Sequence, residues 1–585
     1  MDKARSRIRM RALLGGLLVP MMIGTVVLVA VPRERAQATP PVAGRTTDFT
    51  DGDPNVQLPQ GGTRYHFGVV EPPRRAGQHI PNYFPVTFDP DAHAVVEDAA
   101  EETSGSIQDS EPTTTGTITE IDSYFYMPLV LKRYSNSADV IFRNGVVLTM
   151  EPSQPQAAAL AVRGERIMAV GGNSQVMALR GPDTHVVDLA GRTLLPGFID
   201  GHTHVLFFPD RMGQTLQDAM DVALSYGLTT VNEMVADDAF LEQLMSAEQE
   251  GTLRLRVNVF APYNTGTLDD EGNTIIVEVW FPEHGPILDS DRRVRIPGIK
   301  LFTDGGWSPG RGCWALTDPY PKEFQDDLMF QDCFHDDGDL YLTQRQLNQV
   351  VVDAQAAGFR VSFHASGDRA IDHVLNAIEN ALNGASNEQY RHQIQHNSVL
   401  RPDQLTRYAS LNPLASLRGY FNTCDQDEYS YYFGEDRYEW LANRYALPGL
   451  GIHVYAEGDF GWTTAPSDRT SPRTIDPMLY LYGLVTHQQL RGDGTACQPD
   501  TWIAKHEISV EEGLRLLTIE PAFAVSQEEV IGSLRPGKFA DLVILSGNPL
   551  AVNPNSIKDL QALMTMVGGH VEYCAAGYES LCPTS

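Results

Sequence analysis

The chain has 585 residues, too many for one ordinary domain, and its 42% hydrophobic fraction is ordinary for a folded globular protein. Lys and Arg number 44 against 75 Asp and Glu, a formal charge of −31. A field of that sign repels phosphate backbones; it argues against nucleic acid as a partner and otherwise reads as solubility.

The chain opens with Lys3, Arg5, Arg7, Arg9 and Arg11, then an uncharged apolar run from about Ala12 to Val31, then Ala36-Gln37-Ala38. That order predicts a secretory signal peptide over residues 1–38, cleaved after Ala38. The apolar run is also long enough to stay as a membrane anchor. Either way the expected location is outside the cytoplasm, extracellular or tethered at the cell surface. Six cysteines suit an oxidising compartment. Cys574 with Cys582 and Cys313 with Cys333 are candidate pairs, and the sequence alone leaves the pairing open. Residues 39–135 are rich in Pro, Thr, Asp and Glu with poor periodicity, which predicts a disordered acidic spacer.

Regular structure is expected from residue 136. Two β-rich runs meet at Asn144-Gly145, a hairpin signal, and short strands follow at Ala159–Val162, Arg166–Gly171 and His185–Asp188. From residue 197, apolar runs alternate with segments of helical spacing such as Leu216–Tyr226 and Ala370–Leu382. The expected strands are Phe198–His204, Thr229–Met234, Leu255–Pro262, Gly298–Asp304, Arg360–Ala365, Arg391–Asn397, Asn412–Leu417 and Gly451–Asp459. Eight strand–helix units predict an α/β fold, a (β/α)8 TIM barrel over residues 197–525. Strand character returns near Gly532–Leu545 and Met564–Tyr573. Residues 526–585 are therefore expected to rejoin 136–196 in one split β-sandwich.

The chemistry-bearing stretch is Leu195-Pro196-Gly197-Phe198-Ile199-Asp200-Gly201-His202-Thr203-His204. In a strand, side chains at i and i+2 share a face, so His202 and His204 reach one point, as two ligands of one metal must. Further expected strands carry other ligating residues: Lys300 within Gly298–Asp304, and His364, His396 and Asp459 at or beside their strand ends. The catalytic face of a TIM barrel lies at those ends.

Phe198–His204, Ile299-Lys300-Leu301-Phe302-Thr303-Asp304-Gly305, His364-Ala365-Ser366-Gly367-Asp368-Arg369-Ala370 and Gly537-Lys538-Phe539-Ala540-Asp541-Leu542-Val543 together resemble the amidohydrolase superfamily. They are most similar to the amidohydrolase-3 branch that includes N-substituted formamide deformylases. The resemblance implies that His202 and His204 bind one metal and that His364 and His396 bind a second. A carbamylated Lys300 would bridge the two, with Asp459 both ligand and proton-transfer residue. Neutral imidazoles suit Zn²⁺, which brings the pKa of a bound water to about 7. Three features depart from the branch: only about 25 residues separate His204 from the second expected strand where a long insertion is usual, Gln395 stands in Ile394-Gln395-His396 where Glu is usual, and Glu457-Gly458-Asp459 replaces Gly-Ser-Asp.

The reading is thus an exported amidohydrolase cleaving a C–N bond in an amide, N-formyl compound or cyclic amide. An ester, lactone or phosphoester hydrolase on the same centre, or a catalytically dead binding module, stays open as an alternative. The expected partners are an amide-like small molecule, a membrane if the N-terminal segment is kept, and a second copy of the chain. Asp304, Trp307, Arg311 and Tyr420 are candidates to line the substrate site. Each has an ordinary alternative, Asp304 in capping the Gly305-Gly306 turn and the others in loop packing. His392 lies deeper on the sixth strand and reads as core. The run Tyr429–Phe433 reads as a lid or a packed helix.

Overall fold

The computed structural model describes residues 137–207, 215–269, 272–277, 281, 284–306, 312–418, 423–460, 475–491 and 493–583. The expected signal peptide and spacer lie outside the described residues, as do Trp307, Arg311 and Tyr420. The first strands are β1 (Ala138–Arg143), β2 (Val146–Leu148), β3 (Gln156–Ala157), β4 (Ala159–Arg163), β5 (Arg166–Gly171), β6 (Arg180–Asp188) and β7 (Thr193–Pro196). The two runs that meet at Asn144-Gly145 do not form a hairpin. Instead β1 pairs with β4 and β6, while β2 pairs with β3 and β7. Asn144 is in the left-handed region at φ 57°, and its side-chain amide donates to Asp188 Oδ2 at 2.7 Å. The turn chemistry is real, but it carries the chain from one sheet to the next.

The barrel strands are β8 (Phe198–Thr203), β9 (Leu228–Glu233), β10 (Arg256–Pro262), β13 (Val294–Phe302), β14 (Arg360–Ala365), β15 (Gln393–His396), β16 (Leu414–Arg418) and β17 (Val454–Glu457). A short hairpin of β11 (Asn264–Leu268) and β12 (Thr274–Ile276) follows β10. The eight barrel strands pair in chain order, all parallel. Strands β8, β9, β13 and β17 are buried at every residue, as a parallel sheet covered on both faces requires. The Asp459 N–H donates to His202 O at 2.8 Å and the His204 N–H to Phe460 O at 2.9 Å, joining last strand to first. The fold is a (β/α)8 TIM barrel. Between strands, the helix Asp368–Leu382 buries Ile371, Val374, Leu375, Ile378 and Leu382 at helical spacing. The helix Leu216–Ser225 starts at a Thr215/Asp218 capping box.

After the barrel come β18 (Gln489–Leu490), β19 (Ala496–Cys497), β20 (Leu542–Leu545), β21 (Ala562–Val567) and β22 (His570–Cys574). Strand β20 lies between β21 and β7, so one six-stranded sheet, β22-β21-β20-β7-β2-β3, draws on both flanks of the barrel. The barrel's base is plugged by the helix Ile519–Ala524. Arg391 donates to Phe523 O at 2.6 Å, Arg360 to Ala524 O, and Arg295 to Val525 O at 3.0 Å. Cationic donors on the last carbonyls of a helix are favourable twice, as hydrogen bonds and as charge on the dipole. Disulfides join Cys313 to Cys333, Cys424 to Cys497 and Cys574 to Cys582. Tyr429–Phe433 is a packed helix: Tyr429 and Phe433 are buried, and Phe433 stacks on Trp314 at 5.7 Å.

Candidate metal centre

The end of β8 and the end of β17 meet because two glycines permit it. A Cβ at Gly201 would lie 2.2 Å from Tyr455, and one at Gly458 would lie 2.0 Å from the Tyr480 hydroxyl. His202 and Asp459 follow these glycines directly. His396 (φ 71°) and Asp459 (φ 49°) hold left-handed backbone. That conformation costs a non-glycine residue about 1–3 kcal/mol and gathers at functional sites.

His202, His204, His396 and Asp459 are all at least 95% buried. The Nε2 atoms of His202 and His204 are 3.4 Å apart, and Asp459 Oδ1 lies 3.4 Å from each. Tetrahedral bonds of about 2.0–2.1 Å place neighbouring ligand atoms about 3.3–3.4 Å apart, so this triangle has the edges of a zinc-like site. The tautomer of His202 agrees. The Gln395 side-chain amide donates to Ser362 Oγ at 2.7 Å and to Tyr455 Oη at 2.6 Å, which turns its oxygen to His202 Nδ1 at 2.9 Å. Nδ1 therefore carries the hydrogen, and Nε2 turns a lone pair toward the Asp459 carboxylate. Acceptors facing one another in a buried site call for a cation between them.

Ligand atoms of His202, His396 and Asp459 also lie within 4.8 Å of one another. The rings run on as a chain, His202 to His396 at 4.9 Å and His396 to His364 at 4.6 Å. His364 Nε2 donates to Gly305 O at 3.1 Å, which leaves Nδ1 as its lone-pair atom. Burial pushes the His202 imidazole below its usual range, helped by the Lys300 charge, and takes His396 down to about 3. Both rings are thus neutral, the form that binds metal. Lys300, on β13, is fully buried, its Nζ 5.1 Å from the Phe302 ring centre. The structure therefore brings all six sequence-expected ligands to the C-terminal end of one barrel.

A model of the amidohydrolase family matches residues 206–573. The chain belongs to the amidohydrolase family. The match starts just past His204, so it does not cover the His202–His204 pair, which stands on its sequence motif and its geometry. The protein LONG AFTER FAR-RED 3 of Arabidopsis thaliana is 22% identical over 74% of this chain and 92% of its own length. The N-substituted formamide deformylase of Arthrobacter pascens is 20% identical over 75% of this chain and 99% of its own. The crystal structure of an uncharacterized metal-dependent hydrolase from Pyrococcus furiosus shares the fold, with a TM-score of 0.54 at 20% identity. That likeness covers 70% of this chain and 99% of the other. Family and donor set agree: the protein is an enzyme, a metal-dependent amidohydrolase whose site takes a divalent cation.

Within this amidohydrolase, Asp304 is placed differently from a substrate contact. Its carboxylate is 1% exposed and accepts N–H bonds from Ala315 at 3.1 Å, Ser366 at 3.1 Å and Gly367 at 2.7 Å, with Oδ1 3.4 Å from His364 Nε2. It ties the loops around His364 rather than the Gly305-Gly306 turn. His392 is core: its Nδ1 accepts the Val361 N–H at 3.1 Å and its Nε2 donates to Gln355 at 3.0 Å. Four neighbours of the ligands escaped the sequence reading as site residues. Glu233 Oε1 lies 3.7 Å from His204 Nδ1, and Gln395, Glu457 and Arg418 crowd the other ligands. Gln395 and Glu457 were visible only as departures from a motif, and Arg418 gave no signal beyond ending a strand.

Proposed function

We propose that the enzyme hydrolyses a C–N bond in a small amide, N-formyl compound or cyclic amide, with two Zn²⁺ held by His202, His204, His364, His396 and Asp459 and bridged by a carbamylated Lys300. The observation that carries this reading is the 3.4 Å triangle of His202 Nε2, His204 Nε2 and Asp459 Oδ1, whose acceptors face one another. The family membership and the N-substituted formamide deformylase among its relatives support the bond class. When bound, the metal polarises a carbonyl and lowers the pKa of water to about 7. His202 and His204 would hold one ion through Nε2 from the end of β8, and His396 through Nε2 and His364 through Nδ1 would hold the second from the ends of β15 and β14. Asp459 accepts the proton of the attacking water on its carboxylate and returns it to the leaving nitrogen, the usual work of a positioned acid–base group. The carbamate gives Lys300 an anionic, two-oxygen side chain where an ammonium would repel the cations.

We also propose that the enzyme acts outside the cytoplasm, either secreted or held at the membrane by its N-terminal segment, and that it pairs with a second copy. The basic-apolar-small start of the chain supports export, and the three disulfides suit an oxidising compartment. The test of function is a panel of amides, N-formyl compounds, cyclic amides, lactones and phosphotriesters on metal-loaded enzyme. Turnover confined to C–N substrates is expected; turnover confined to lactones or phosphotriesters would overturn the bond class.

A further inference from the structure

Behind the ligands lies a charged pair that neither the family nor the ligand set explains. Glu457 is fully buried at the end of β17, two residues before Asp459. Its Oε1 accepts from His396 Nδ1 at 2.8 Å and lies 3.3 Å from Arg418 Nε; its Oε2 accepts from Ser416 Oγ and lies 3.5 Å from His202 Nδ1. This carboxylate thus holds the rear nitrogen of His396 and lies near that of His202, whose hydrogen goes to Gln395. Arg418, at the end of β16, completes the arrangement. While its Nε faces Glu457, its Nη2 pairs with Asp459 Oδ2, leaving Asp459 Oδ1 turned to His202 and His204.

We infer that Glu457 and Arg418 form a brace for the metal centre, Glu457 fixing the ring of His396 from behind and Arg418 fixing the carboxylate of Asp459. The inference rests on the reading of the triangle as a metal site and goes beyond it in naming what sets the site's geometry. Three arguments carry it. The planar guanidinium fork meets two carboxylates at once, a geometry lysine lacks. A ring held by its second nitrogen loses little freedom when it ligates. The strained backbones of His396 and Asp459 persist only where neighbours over-determine them, and Glu457 and Arg418 are the charged groups that contact those two side chains. Both are positioning residues: neither offers an atom to the triangle.

The test is Zn²⁺ affinity of the full chain after chelation, read by competition with a chromophoric chelator, beside the thermal midpoint of the metal-free protein. E457Q and R418Q are each expected to weaken binding about 10–100-fold, the usual size of losing a ligand's outer partner. R418K, which keeps the charge without the fork, is expected to recover part of the loss. Because a single variant leaves one buried charge unpaired and is at risk of misfolding, the double variant E457Q/R418Q is measured as well. It removes both charges together and is expected to keep a cooperative transition while binding no better than the weaker single variant. Wild-type affinity in the folded double variant, or equal affinity in R418K and R418Q, would overturn the brace. A wild-type chain that binds no Zn²⁺ would overturn the metal reading itself, which separates the two failures.

Discussion

The two ends of the barrel solve the burial of charge in opposite ways. At the base, donors meet acceptors. Arg295, Arg360 and Arg391 reach the carbonyls of Val525, Ala524 and Phe523, and each guanidinium has a further partner, in Asn258, Ser526 and Glu528 respectively. At the catalytic end, acceptor meets acceptor: two imidazole Nε2 atoms and a carboxylate oxygen share one 3.4 Å triangle, in which the lone pair of His202 Nε2 faces the Asp459 carboxylate. Most donors at the base are met within the chain, the Nε atoms of Arg295 and Arg360 excepted; the catalytic end is built for something the chain does not supply. Left-handed backbone does not follow this division: it occurs at His396 and Asp459 at the catalytic end and at Arg391 and Ser526 at the base. On the pairing of charge, stability is expected to reside at one end and metal affinity at the other.

Substitutions at the catalytic end break this comparison most forcefully. H202A/H204A is expected to remove bound metal and turnover together while leaving a cooperative unfolding transition, as read by elemental analysis and thermal denaturation. Loss of folding without loss of metal would reverse the division. Next in size is Lys300. K300R keeps a cation that forms no carbamate and is expected to be inactive and metal-poor. K300A is expected to be equally poor, with acetate in the buffer restoring part of both by filling the bridge. Wild-type turnover in K300R would make Lys300 an ordinary ion-paired residue.

At the base the expectation inverts. Burial, with the charges of Arg391 and Arg295, pulls the Arg360 guanidinium down to about 9, so it stays charged at pH 7 and its partners are left bare if it is removed. R360M is expected to lose about 1–3 kcal/mol in a urea titration, the cost of leaving buried acceptors unpaired, with the folded protein's metal affinity unchanged. A further expected effect is a pH slope. Burial lowers His392 to about 3, so the folded chain refuses a proton that the unfolded chain accepts below about 6.5. Stability contributed by the neutral ring is full above about pH 6.5 and drains as pH falls toward 3, by about 1.4 kcal/mol per unit. H392Q is expected to remove that much slope between pH 6 and 4. An unchanged slope would place the proton elsewhere.

The strand ends were legible because barrel strands buried on both faces read as apolar runs, and a ligand ending such a run stands out against them. His202, His204, His364, His396 and Asp459 fell to that signal, and Lys300 stood out as a cation inside such a run. The sheet switch at Asn144-Gly145 was not legible, because a left-handed Asn-Gly pair serves a hairpin and a corner equally; only the pairing partners, far along the chain, decide. Asp304 looked like a substrate contact because it ends the Lys300 strand, whereas three backbone N–H groups from two other loops claim its carboxylate. Glu457 and Arg418 were hidden for a related reason. Their roles come from adjacency between β15, β16 and β17, which a linear reading does not supply.

The most direct measurement is turnover on an N-formyl or amide substrate against bound metal, in full-length protein stripped by chelation and reloaded stepwise with Zn²⁺. Turnover is expected to vanish in stripped protein and to rise in proportion to metal bound through the triangle, with H202A/H204A showing neither uptake nor recovery. Full turnover in stripped protein that holds no metal would contradict the metal-centred reading of the site.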